Sequence, residues 1–217
     1  IQEQVEASLR RLGTDVIDLY QIHRPDRPTP WEETLSTLTD LVRQGKVRYI
    51  GHSNFAGWQT AEAHFVAEKL GASPFVSAQN EYNLLNRRIE KELVPPCNAY
   101  GLSILPYFPL ASGFLTGKYR KDQPLPEGAR LSSAAAAPMA NGILTPRNYE
   151  TLEKLETFAA GRGKAMTELA FGWLASQPFV ASVIAGATKP EQVEQNVAAG
   201  NWRLDAEEMA EVDAITR

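Results

Sequence analysis

The sequence predicts an α/β fold with parallel strands, and within that class a (β/α)8 barrel, of which the chain carries five βα units plus a C-terminal helix. Three observations lead there. Apolar runs of strand length alternate with amphipathic helical stretches at a period of about 30 residues, the length of one βα unit. Five such units in series favour parallel strands with helices outside. A doubly wound sheet fits the same alternation, but no Gly-x-Gly-x-x-Gly follows any strand, which weakens a dinucleotide-binding doubly wound sheet and favours the barrel.

The elements follow in order. Ile1, Val5, Leu9 and Leu12 recur at helical spacing and Gly13 stops that helix. Asp15 to His23 reads as a buried strand, because Val16, Ile17, Leu19, Tyr20 and Ile22 form a nearly continuous apolar run that Pro25 terminates. Thr29-Pro30-Trp31-Glu32 has capping-box spacing with Pro at the first helical position, and Trp31, Leu35, Leu38 and Val42 give that helix its apolar face. Val47 to Gly51 is the second strand. Trp58, Ala61, Phe65 and Leu70 mark the next helix, closed by Gly71. Phe75 to Tyr82 is the third strand, Glu90 to Tyr100 a helix that Pro95-Pro96 must kink, and Leu102 to Tyr107 the fourth strand. The period then breaks. Residues 113–147 are rich in Gly, Pro, Ser and Ala and read as a long loop, of a length usually kept for function. Helices over 148–160 and 165–176, a fifth strand over 180–185, a helix over 189–199 with Thr188 and Glu191 at capping-box spacing, and a last helix capped by Asp205 and Glu208 complete the chain.

Composition narrows the class. The 217 residues, enough for one large domain or two small ones, are 43% hydrophobic and 22% charged, so a packed core is available; a single domain over residues 1–217 is expected from the barrel. A net charge of −4 gives no general reason to expect nucleic acid or an anionic membrane as partner. Cys97 is the only cysteine, so no intrachain disulfide forms, and a reducing, cytoplasmic setting is the simpler expectation. No apolar run is long enough to span a bilayer and no signal peptide is visible. No metal site is expected. Oligomeric state is not legible.

A barrel gathers its chemistry at the carboxyl ends of its strands. Here those ends read His23, Ser53-Asn54, Gln79-Asn80, Tyr107 and Gly186. Taken singly, a histidine is more often structural, Ser-Asn is a good turn pair, and Tyr107 fits a core equally well. Together, carboxamides and hydroxyls at one mouth suit a ligand bearing an amide, and an aromatic suits a flat ring. The loop Pro109 to Lys118 reads either as a flexible connector or as a phosphate cradle of backbone N–H groups plus Lys118. The helix opening at Thr188-Lys189 is a ready anion site or a plain capped helix in equal measure.

At these residues the chain resembles the aldo-keto reductase family, and within it a bacterial branch close to the potassium-channel β-subunit-like reductases. The matching stretches are Ser8 to Asp15, Asp18 to His23, Gly45 to Phe55, Gln79 to Asn83, Gly113 to Tyr119 and Gly186 to Gln192, in the family's order across the chain. The resemblance implies a (β/α)8 barrel that binds NADP(H) and reduces a small-molecule aldehyde or ketone by hydride transfer. It implies that Ser53, Asn54 and Gln79 hold the nicotinamide carboxamide and that Tyr107 stacks on the ring. Leu110, Ser112 and Lys118 would line the pyrophosphate. Gly186, Thr188, Lys189, Gln192, Gln195 and Asn196, with Arg130 on the adenine side, would surround the adenosine and its 2′-phosphate. Lys189 favours NADPH over NADH, since a 2′-phosphate calls for a cation.

The family's catalytic set is Tyr, Lys, Asp and His. His23 matches the histidine, which helps orient the carbonyl. The other three lie on strands that precede this chain in the family fold, and none of Tyr20, Tyr49, Tyr82 or Tyr100 is promoted to replace the tyrosine. The chain opens at Ile1 inside a helix, so its start is expected to be a cut rather than a natural terminus. Two rivals stand beside the reductase: a non-catalytic NADP(H)-binding regulatory protein on the same barrel, and a barrel enzyme of unrelated phosphate chemistry that ignores NADPH.

Overall fold

Four strands form one wholly parallel sheet in the computed structural model, which describes residues 1–26 and 28–217. They are β1 (Ile17–Ile22), β2 (Val47–Ser53), β3 (Phe75–Gln79) and β4 (Ser103–Ile104), and they lie side by side in chain order. Parallel neighbours cannot be joined by a hairpin, so each step needs a crossover. The crossovers are α2 (Trp31–Arg43), α3 (Gly57–Leu70) and the broken pair α4 (Ile89–Glu92) and α5 (Val94–Ala99). The break falls at Leu93, just before Pro95-Pro96, as the proline pair requires. With α1 (Gln2–Leu12) these elements make up a first compact unit, Ile1–Asn80 with Arg88–Leu105. Leu35, Leu38, Ile50, Ala78 and Ile104 are at its centre, each 0–1% exposed.

The second compact unit, Glu81–Arg87 with Pro106–Arg217, is helical. It holds α6 (Ala137–Ile143), α7 (Pro146–Ala160), α8 (Met166–Ala175), α9 (Pro190–Ala199) and α10 (Ala206–Thr216). Helix α8 is apolar nearly all round and is its buried axis, with Leu169, Trp173 and Leu174 fully enclosed. Arg87 anchors the segment 81–87 to it. Its guanidinium lies 5.0 Å over the Trp173 ring, pairs with Asp213 at 2.7 Å and donates to the Thr216 hydroxyl at 2.7 Å. Asp205 accepts from the Glu208 N–H and Glu208 accepts from the Asp205 N–H, the reciprocal cap expected for the last helix. No helix among the described residues is long and apolar enough to cross a membrane.

Several elements differ from the sequence reading. Strand β1 is half-buried rather than buried, because it is an outer strand of the described sheet. Leu12 is 67% exposed, so α1 buries only Val5 and Leu9. In α3 the large apolar residues face out: Trp58 is 62% and Phe65 56% exposed. The buried face is Thr60, Ala63 and Ala67, whose small side chains let the helix lie close to its neighbours. A Cβ on Gly57 would collide with the backbone carbonyl of Glu92, which shows how close that approach is.

Two expected caps are absent. The Thr29 hydroxyl donates to Asp26 at 2.6 Å and leaves Pro30 to open α2. Thr188 donates its N–H to Gln192 Oε1 at 2.7 Å instead of capping α9, whose N-cap is Lys189. Residues 180–185 form no ladder: the Ile184 N–H bonds the Pro106 carbonyl at 2.9 Å and little else pairs. Pro106 has no N–H to return the bond, and the chain leaves extended geometry at Phe108, where φ is 55°. The long loop over 113–147 contains 3-10 turns and α6, since an alanine-rich run with Pro138 in its first turn is a good helix start.

Candidate functional site

In the first unit the carboxyl ends of β1, β2 and β3 bring polar groups into one hydrogen-bonded cluster. Ser53 is 4% exposed, and its hydroxyl donates to the Gln79 carbonyl at 2.7 Å across the β2–β3 register that pairs the two residues. The Asn54 N–H bonds the same carbonyl at 3.1 Å. Asn54 leaves the strand with φ 61°, a left-handed conformation that asparagine tolerates better than most residues. That bend lets Asn54 Nδ2 donate to the His23 carbonyl at 2.9 Å and to Ser53 Oγ at 3.0 Å. The end of β1 is thereby tied to the end of β2 through a side chain. Beside them, Asn80 Nδ2 donates to the Phe55 carbonyl at 3.2 Å, while its buried Oδ1 has no hydrogen-bond partner among the described residues. His23 lies just past β1 with its imidazole exposed.

Beneath this cluster is a row that the sequence reading missed. Gln21, Gly51 and Ser77 stand at one level of the sheet. Gln21 Nε2 donates to Gln79 Oε1 at 2.6 Å, and the Ser77 hydroxyl donates to Gln21 Oε1 at 3.2 Å. Gly51 makes the row possible, because a Cβ there would collide with Ser77 Oγ and stand 3.2 Å from Gln21 Cγ. The available signal was a glycine inside a strand, which marks a close approach, flanked by strands with a polar residue among apolar ones.

His52, one residue before Ser53, points the other way. It is fully buried and stacked on Phe55 at 4.3 Å, with Nε2 3.2 Å from the Thr60 hydroxyl and Nδ1 unpartnered among the described residues. Burial pulls its pKa down to about 3.

The second unit holds the other candidate residues. Tyr107 meets Phe108 edge to face at 5.1 Å, and the Arg130 guanidinium lies 5.1 Å over the Phe108 ring. Arg130 is therefore tied back to the segment that carries Tyr107. From Leu110 the chain turns tightly: Ala111, Ser112 and Gly113 have φ of 44°, 58° and 88°. Successive positive φ values of this kind curve the backbone into a compact concave turn. The Ser112 hydroxyl is 2.9 Å from Met139 Sδ. A Cβ on Gly113 would stand 3.0 Å from Lys118 Nζ, so the absent side chain leaves room for the ammonium over the turn; the ammonium also lies 5.2 Å over the Tyr119 ring.

On α9, Gln192, Gln195 and Asn196 share a face three to four residues apart, and Gln192 Oε1 accepts from both the N–H and the hydroxyl of Thr188. Lys189 and Gly186 are exposed. Against α8, α9 and the segment 180–187 lies a hollow of about 420 Å³, lined by Phe171, Val180, Val193, Asn196 and Arg203 among others. Of the candidate residues only Asn196 reaches it.

Comparison with known proteins shows the family to which the chain belongs. The model of the aldo/keto reductase family matches residues 1–217, and the chain belongs to that family, whose fold is the (β/α)8 barrel. A putative voltage-gated potassium channel subunit beta of Schizosaccharomyces pombe is 36% identical over 99% of this chain and 63% of its own length. An uncharacterized oxidoreductase, YrpG, of Bacillus subtilis is 36% identical over 95% of the chain and 60% of its own length. The L-glyceraldehyde 3-phosphate reductase of Escherichia coli K12 is 33% identical over 96% and 61%. The chain thus spans about three-fifths of the length of the curated relatives it matches.

Proposed function

We propose that this chain belongs to an NADPH-dependent reductase of small aldehydes or ketones. The observation that carries the reading is the cluster of Ser53, Asn54 and Gln79 at the carboxyl ends of β2 and β3, held by Asn54's bond to the His23 carbonyl. Its hydroxyl and carboxamides are the donors and acceptors that a nicotinamide carboxamide would need. Tyr107 would offer the ring a flat face. The turn at Leu110, Ser112 and Gly113, with Lys118, would meet the pyrophosphate. Gly186, Thr188, Lys189, Gln192, Gln195, Asn196 and Arg130 would meet the adenosine, with Lys189 taking the 2′-phosphate and so selecting NADPH.

When bound, the cofactor supplies the hydride. This chain's part in the reaction is to hold and orient. Ser53, Asn54 and Gln79 would hold the carboxamide and so orient the ring, while exposed His23 would donate to the substrate carbonyl oxygen and help orient it. Holding two reactants in register removes the entropic part of the barrier. The proton donor and the two groups that tune it are proposed to come from sequence that the relatives have beyond the matched three-fifths. The chain is proposed to act in the cytoplasm.

NADPH should quench tryptophan fluorescence saturably and more tightly than NADH, and a panel of aldehydes and ketones should then consume NADPH. Absence of any NADPH binding would sink the reading in favour of unrelated chemistry on the barrel. Binding without turnover in the protein at its full natural length would favour the second reading, a regulatory NADP(H) sensor, which the similarity to potassium channel β subunits supports.

A further inference from the structure

We propose that Gln21 is a positioning residue that fixes the amide of Gln79 for its ligand, an inference that rests on the cofactor reading for the identity of that ligand. A primary amide has two ends of nearly equal shape and opposite hydrogen-bonding character. A glutamine meant to read one face of a carboxamide must therefore be prevented from turning over. Gln21 does this in two bonds. Its Oε1 accepts from the Ser77 hydroxyl at 3.2 Å, which directs its Nε2 along the sheet toward Gln79. Its Nε2 then donates to Gln79 Oε1 at 2.6 Å. With that oxygen engaged, Gln79 presents its Nε2, which has no hydrogen-bond partner among the described residues, and the second lone pair of Oε1.

The supports of Gln21 are themselves fixed. Ser77 is 4% exposed, inside β3. Gly51 keeps clear the space above the ladder through which Gln21 reaches Ser77. Gln21 stands two residues below the level at which Ser53 pairs with Gln79, on the same face of the sheet, too deep to be read as a strand-end residue yet long enough to reach one.

The test compares wild type with Gln21→Leu, which removes both bonds at similar volume, and Gln21→Glu, which keeps the acceptor for Ser77 and replaces the donor by an oxygen. Thermal melts establish that each variant folds. NADPH and 2′,5′-ADP, which has no nicotinamide, are titrated against each. Both variants should lose roughly tenfold in NADPH affinity, the worth of one well-placed hydrogen bond, while 2′,5′-ADP binds as to wild type. The side-chain amide resonances of Gln79 should move in both variants without any ligand. In Gln21→Glu the introduced carboxylate can only accept, so the Gln79 amide must turn its nitrogen inward. Unchanged NADPH affinity in both variants overturns the proposal. So does an equal loss of 2′,5′-ADP affinity, which would make Gln21 a support of the sheet and nothing more. If wild type binds neither ligand, the cofactor reading fails, and the ligand-free Gln79 resonances still decide: no movement in Gln21→Glu overturns the pinning, and movement sustains it.

Discussion

His52 and Gln21 lie one residue out of register on neighbouring strands and face opposite sides of the sheet, and the two sides treat polar groups differently. His52 is enclosed with an Nδ1 unpartnered among the described residues, and burial holds its pKa at about 3 against an ordinary value near 6.5. The unfolded chain therefore takes up this proton first. Stability from neutral His52 is present above about pH 6.5 and is lost as pH falls toward 3, amounting to roughly 2 kcal/mol by pH 5. Urea melts at pH 7 and pH 5 should show that loss, and a His52→Gln variant should flatten it; an equal slope in the variant would mean other groups are responsible. Cys97 is also fully buried, its thiol pushed up to about 12, so it is part of the packing and not a nucleophile. Sequence alone picks out Ser53, Asn54 and Gln79, because strand ends can be read in one dimension. Gln21 and Ser77 could not be found that way, since their meeting depends on the register of three strands and on the missing side chain at Gly51.

At the level of single elements, helix α3 shows why composition misleads. Its large apolar residues suggest a core face over Trp58, Ala61, Phe65 and Leu70, yet the packed face is the small one. Close approach decides the matter: the Gly57 N–H bonds Glu92 Oε1 at 2.6 Å, and the glycine itself lies against the Glu92 backbone carbonyl. A methyl at this position cannot be absorbed by a flexible neighbour. Gly57→Ala should cost about 1–3 kcal/mol, the usual penalty for overpacking, whereas Glu68→Leu on the exposed face should cost almost nothing; denaturant midpoints of the two variants would separate these outcomes. Caps and strand ends obey the same logic. The reciprocal bonds of Asp205 and Glu208 follow from local spacing and were foreseeable. The idle cap at Thr29 was not, because Asp26 competes for its hydroxyl from outside the four-residue window. Nor was the failure of residues 180–185 to form a ladder, which depends on Pro106 far away in sequence.

On the scale of the whole molecule, the βα alternation was plain in the sequence for four units, and family membership supplies the barrel to which they belong. Each compact unit has its own means of closure. In the helical one it is Arg87, only 12% exposed at its side chain, which meets Asp213, Thr216 and the Trp173 ring at once. Arg87→Met removes all three contacts and leaves Asp213, among the described residues, with its pairing to Arg217. It should lower the denaturation free energy by about 3 kcal/mol, the scale for breaking a largely enclosed ion pair; a change below about 0.5 kcal/mol would show the ring contact and charge pair to be ornamental. In the sheet unit, every strand pairs with the one that precedes or follows it in the chain. During translation this means that β2 can dock on β1 once α2 and β2 have left the ribosome, and β3 on β2 after it. Each pairing spans a single crossover, which keeps its loop-closure cost below that of strands paired across the sheet, so these strands can be laid down in the order of their synthesis, one unit exposed at a time.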